Sequence, residues 1–256
     1  MLGIVTGILS GMLGVGGGVI VVPALVFILN YKGMPDNLIM HLAVGTSLAV
    51  MVFTTLFSLR THLRHPGQAE FWRIAKVFTP FLIVGVVLGA ILADFLHSSV
   101  LKVIFGGFIM LVALQMLLSK NVVTDKKASL SKTNMRCASL IMGTLSGMLG
   151  VGGGSTVVPY LLYYQVSMRN AVRVSIFVGL LVACVGSIVY SISGINEILP
   201  ANCIGYVYWP AWLGIGMGSV LFAPLGVKLS YLVSTTMLKR VFAVLMLLMG
   251  VRMIFS

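Results

Sequence analysis

The chain has 256 residues, 59% of them hydrophobic and only 9% charged, with a mean hydropathy of +1.10. A water-facing surface needs roughly a quarter to a third of its residues charged, so a soluble domain is excluded and an all-α polytopic membrane protein is expected. The net charge of +12, from 17 Lys and Arg against 5 Asp and Glu, reads in such a protein as basic cytoplasmic loops, with no nucleic-acid partner expected.

Residues 1–29 are apolar throughout but are split by Gly14 to Gly18 into two runs of about half a span each. The opening residues lack the charged start and small-residue cleavage site of a signal peptide and are expected to belong to the mature protein. A polar loop over 30–37 carries Lys32, Pro35 and Asp36, and a span over 38–59 contains Gly45-Thr46-Ser47. A basic loop follows, with Arg60, His62, Arg64, His65 and Arg73. Spans are expected over 75–95 and 100–118, the first with Gly85 and Gly89 at the spacing that lets helices approach closely. The most polar stretch, 119–136, is expected to be a cytoplasmic linker between an N-terminal repeat, 1–118, and a C-terminal repeat, 137–256. The second half repeats the order, with a broken segment over 137–166 and spans over 174–193, 207–227 and 238–255.

The repeat is explicit in the residues. Gly7-Ile-Leu-Ser10-Gly11-Met-Leu-Gly14-Val-Gly16-Gly17-Gly18 is answered by Gly143-Thr-Leu-Ser146-Gly147-Met-Leu-Gly150-Val-Gly152-Gly153-Gly154, and Val21-Val22-Pro23 by Val157-Val158-Pro159, at a constant offset of 136. Ala43-Val44-Gly45-Thr46-Ser47 aligns more loosely with Ala171-Val172-Arg173-Val174-Ser175, where Arg173 takes the place of the glycine.

Each broken segment reads either as one interrupted span or as a re-entrant hairpin. With eight full spans, ten cations lie inside and seven outside. With two hairpins and three spans per half, fourteen lie inside and only Lys32, Lys102 and Arg252 outside. The positive-inside rule prefers the second count. An odd number of full spans per half also makes the halves inverted repeats, an architecture in which discontinuous helices meet at the midplane around a substrate.

Irregular backbone at membrane depth is tolerated where protein buries it or water reaches it. Half-helix N-termini with glycines leave backbone N–H groups open to a close-approaching anion. The hydroxyls expected nearby are Ser10, Ser146, Ser155, Thr156, Thr46, Ser47 and Ser175, which can donate to an oxyanion. Arg173 reads as a further substrate contact or as a side chain reaching the cytoplasmic interface. The five acidic residues all fall in loops or at span ends, which disfavours a cation carrier. Gly3, Gly7 and Gly11 read equally as helix packing. His62 and His65 read as a solvated surface, so no metal is expected. Trp72, Trp209 and Trp212 read as interfacial anchors, and the three cysteines as small packing residues. Dinucleotide and phosphate-loop spacings are absent.

The paired Ser-Gly-Met-Leu-Gly-Val-Gly-Gly-Gly motifs, each followed by Val-Val-Pro, together with Ala43-Val44-Gly45-Thr46-Ser47, resemble the sulfite exporter TauE/SafE family, also described as 4-toluene sulfonate uptake permeases. The resemblance covers essentially the whole chain and implies a permease of the prokaryotic inner membrane for sulfite, sulfonates, sulfoacetate or similar oxyanions. The second half departs from the motif at Arg173-Val174, where Gly-Thr is missing. The substrate is expected between the breaks, at Gly14, Gly16, Gly17, Gly18, Gly150, Gly152, Gly153, Gly154, Ser155, Thr46, Ser47, Ser175 and Arg173. Export is the expected direction, because the membrane potential expels anions at ~2.3 kcal/mol per charge per 100 mV. An anion channel or a permease for a non-sulfur organic anion is the alternative. Neither catalysis nor a cofactor is expected; the partners are the bilayer and a small anion, and the oligomeric state is left open, with a homodimer among the options.

Overall fold

The computed structural model describes residues 3, 4, 6–8, 17–62, 68–118, 131–232 and 235–255. It is predominantly helical. Residues 6–8 are helical, and after them come α1 (Gly18–Tyr31), α2 (Asp36–His62), α3 (Gln68–Asp94) and α4 (Ser98–Leu118). The second half contains α5 (Lys132–Leu149), α6 (Val157–Tyr163), α7 (Met168–Ser193), α8 (Trp209–Leu232) and α9 (Thr235–Phe255). The helix α5 begins at Lys132, inside the stretch expected to be linker. Residues 119–130, with Lys120, Asp125, Lys126 and Lys127, lie outside the described residues, as do Arg64 and His65.

Among the described residues, four helices are long and apolar enough to cross a membrane: Asp36–Leu59, Phe71–Asp94, Ser98–Gln115 and Asn170–Asn196. Shorter apolar helical stretches cover Gly18–Tyr31, Trp209–Phe222 and Ala243–Phe255. Burial orders them. Within its apolar window α2 is 67% buried and α4 only 33%, so α2 runs through the core while α4 presents Val103, Leu111 and Leu114 outward. Outward-facing Phe57, Val84, Leu92, Ile188, Leu221 and Leu248 continue that apolar surface around the molecule. Apolar side chains of this kind are stable against lipid and not against water.

The helices pair across the two halves. On α2 and α7, Gly45 lies against Tyr190, Leu48 against Gly186 and Thr55 against Gly179, so the two run antiparallel. On α4 and α9, Gly106 meets Ile254 and Met110 meets Gly250, again antiparallel. Between α3 and α5, Leu82 meets Gly143 and Val86 meets Gly147, so these two run parallel. The opening residues repeat that last contact on α8, with Gly7 against Ser219 and Gly3 against Gly214 and Gly218. Gly85, Gly89, Gly3 and Gly7 therefore serve close packing, with backbone taking the space a side chain would fill.

One end of the bundle gathers the 32–35, 95–97 and 194–208 connections. Lys32 Nζ donates to Tyr208 Oη at 2.7 Å across this end. The connection after α7 holds a feature not expected from the sequence: β1 (Cys203–Ile204) and β2 (Val207–Tyr208) form a small antiparallel hairpin, paired Cys203 to Tyr208 and Ile204 to Val207. The hairpin is pinned to α7 by the Tyr206 N–H, which donates to the Tyr190 carbonyl at 3.0 Å. Trp209 is partly exposed, as an interfacial anchor would be, whereas Trp212 also packs inward: its indole donates to the Ala49 carbonyl at 3.0 Å and stacks on Phe53. The cysteines are free; Cys203 and Cys184 are half-buried and Cys137 is exposed, so packing does not account for Cys137.

Candidate functional site between the glycine breaks

The two breaks touch. α1 follows Gly17, whose φ of 77° is left-handed, with no side chain capping the helix start. Gly18 then lies directly against the second break: a side-chain carbon placed there would sit 2.5 Å from the Gly150 carbonyl oxygen and 3.1 Å from Val151 Cα. Only a residue without Cβ permits that approach.

Gly150 ends α5 in a left-handed conformation, φ 66° and ψ 30°, and its N–H closes the helix on the Ser146 carbonyl at 2.9 Å. From there the chain doubles back. Gly147 lies against Val86, deep along α3, yet Tyr160 on α6 packs against Phe78, two turns nearer the start of α3, at 5.8 Å between ring centres. Along the return, Gly153 passes the Ser175 carbonyl and Val178 of α7.

The helix α2 supplies the wall of this junction. Ser47 Oγ donates to the Gly150 carbonyl at 3.1 Å, and Val44 packs on Gly150. Thr46 Oγ1 accepts from the Tyr208 N–H at 2.9 Å, which ties the hairpin to the same helix turn. Tyr190 is fully buried on α7, and its hydroxyl donates to the Met148 carbonyl at 3.4 Å. On the other side Ser155 Oγ donates to the Gly152 carbonyl at 3.3 Å. The neighbouring Thr156 Oγ1 is buried with no partner, a polar atom whose burial is costly unless something else satisfies it.

Of the residues expected at the site, Gly17, Gly18, Gly150, Ser47 and Thr46 gather at or beside the junction. Gly152 and Gly153 are buried, Gly154 is half-buried, and Ser155 lies on the return limb. Ser175 is buried on α7 with its carbonyl beside Gly153. Arg173 is buried on the same helix, one turn before Phe177, and does not extend into an exposed position. Gly14, Gly16 and Ser10 lie outside the described residues. Tyr190, Tyr206 and His41 were not expected. A lone histidine or tyrosine within an apolar run carries no periodic signal, and their meeting depends on the hairpin.

Helices of spanning length and an apolar outer surface mark an integral membrane protein. The comparisons with known proteins make this specific. The family model described as Sulfite exporter TauE/SafE matches residues 1–253, and the chain belongs to that family. It is 30% identical to a Haemophilus influenzae protein described as a probable membrane transporter protein, over 99% of this chain and 96% of the relative. A probable membrane transporter protein of Methanocaldococcus jannaschii is 29% identical over 99% of this chain and 93% of its own length, and one of Bacillus subtilis is 24% identical over 100% and 96%. No solved structure gives a significant match.

Proposed function

We propose that the protein is a secondary permease of the prokaryotic inner membrane that exports a small sulfur-containing oxyanion, bound where the two glycine breaks meet. The observation that carries this reading is the contact of Gly18 with Gly150, because it brings two interrupted helices, one from each repeat, to a common point inside the bundle. Backbone N–H groups at the start of α1, which no side chain caps, and the unpartnered Thr156 hydroxyl are neutral donors, joined by the Ser47 hydroxyl once it leaves the Gly150 carbonyl. Such donors suit an oxyanion without the cost of burying a cation. In this conformation the junction is closed, and transport requires the breaks to part.

The halves are inverted repeats in this reading. A two-fold axis in the membrane plane reverses equivalent helices, whereas an axis along the normal leaves them parallel. The antiparallel pairs α2 with α7 and α4 with α9 support the first. The return of Tyr160 to the level of Phe78 supports a re-entrant hairpin for the second break. The polar 119–131 stretch then lies in the cytoplasm and the 194–208 connection outside. Sulfur specificity rests on family membership together with the donor set.

A melting screen of the purified protein tests the substrate class. Sulfite, thiosulfate, sulfoacetate or taurine is expected to raise the melting temperature where carboxylate controls do not, with about 2.7 kcal/mol of added stability at a hundredfold excess over Kd. Stabilisation by the carboxylates alone favours the non-sulfur permease. Counter-flow stimulated, saturable flux marks a carrier, and single-channel currents mark a channel.

A further inference from the structure

A cavity of about 400 Å³ opens at the end of the bundle that carries the hairpin, lined by Asp36 and His41 of α2, Asp94 at the end of α3, His97 of the α3–α4 turn, and Glu197 and Tyr206 of the connection after α7. Three of the chain's five acidic residues therefore share one vestibule. His41 is 4% exposed. Its Nε2 lies 2.9 Å from the Ala93 carbonyl oxygen. A carbonyl can only accept, so Nε2 carries the hydrogen, and in the neutral ring Nδ1 is then a bare lone pair. That Nδ1 is buried and has no partner. A buried acceptor left unsatisfied beside three carboxylates is a place for a proton.

We propose that this vestibule is a proton-binding site in which His41 Nδ1 takes a proton from water at the open face, Asp36, Asp94 and Glu197 offset the resulting imidazolium charge, and occupancy is coupled to anion movement. The coupling rests on the permease reading above; the proton site does not. Among the described residues no three His, Cys, Asp or Glu side chains close into a metal-binding group, which favours a proton over a metal ion.

The link to the junction is short and physical. His41 packs on the Tyr206 ring at 5.2 Å. The Tyr206 carbonyl lies against Gly45, one turn along α2. Thr46 holds the hairpin and Ser47 holds Gly150 in the same turn. From His41 to Ser47 is about 9 Å along the helix axis at 1.5 Å per residue. The carboxylates present a negative field to an oxyanion, and a proton on His41 cancels part of it. Tyr206 stays a neutral phenol: burial first, then the charges of Asp94 and Glu197, push its pKa far above the usual range, and it donates to Asp94. Of the other titratable groups facing this site, Tyr190 approaches from α7 and His97 from the α3–α4 turn, while Lys32 is held away on Tyr208.

The test is a titration of isotope-labelled histidine by nitrogen NMR, on the full chain in nanodiscs. The signal lost in His41→Gln identifies the residue. Its Nδ1 is expected to pass from bare to protonated as the pH is lowered over the range in which the protein stays folded, with Nε2 protonated throughout. An Nδ1 that stays bare across that range, or an Nε2 that is bare at its upper end, overturns the site. In proteoliposomes with the membrane potential clamped and sulfite as the probe, a one-unit pH gradient is expected to sustain about a tenfold sulfite gradient for one proton per anion. His41→Gln is expected to lose that drive and keep sulfite counterflow. A wild-type sulfite gradient indifferent to the pH gradient overturns the coupling. If neither protein moves sulfite, the substrate reading fails, and the titration alone decides the proton site.

Discussion

At the residue scale the account turns on Gly150. Its backbone is left-handed, its Cβ position lies 3.0 Å from a Val44 methyl, and its carbonyl receives the Ser47 hydroxyl. Gly150→Ala is therefore expected to cost about 1–3 kcal/mol, the usual range for a non-glycine residue held in this conformation. Thermal melting in nanodiscs checks this; an unchanged melting temperature would mean that the α5 terminus is not held as described. The glycine motif was legible in the sequence because its two copies share one offset. His41 and Tyr206 were not, since a contact between the start of one helix and the turn of a distant hairpin leaves no local pattern.

At the element scale, glycine does two different jobs. Gly89 on α3 faces the Thr144 backbone of α5, whereas nothing lies within 4 Å of the Cβ position at Gly107 on α4. Gly89→Leu is expected to part α3 from α5 and abolish stable insertion. Gly107→Ala is expected to be neutral or to stabilise by up to about 1 kcal/mol through helix propensity. Comparing yield and melting of the two variants separates packing from propensity. The spans themselves were readable from apolar length: the expected 38–59, 100–118 and 174–193 fall inside α2, α4 and α7, and the expected 75–95 falls on α3, which ends one residue earlier. Their ends were less so, because α5 recruits Lys132 and Arg136 from a stretch whose polarity resembles a linker. The two-residue strands at 203–208 are too short to show alternation, and what holds them is Tyr190 on α7 and Thr46 on α2.

At the scale of the whole molecule, the antiparallel pairing of equivalent helices makes a prediction about topology. With the native cysteines replaced, Glu197→Cys and Ser129→Cys are expected to be labelled by impermeant reagents from opposite faces of sealed vesicles. Labelling from one face would restore eight full spans and parallel halves. Cation counting favours the inverted arrangement; the contact of Gly18 with Gly150 leaves no local pattern in the sequence.

The central claim is that this meeting point carries the anion, and labelled sulfite counterflow in proteoliposomes tests it most directly. The wild-type protein is expected to show saturable counterflow, and Gly152→Val, which fills buried space on the return limb, is expected to abolish it while the protein still inserts and remains monodisperse. Undiminished counterflow in the inserted variant would contradict the assignment of the site.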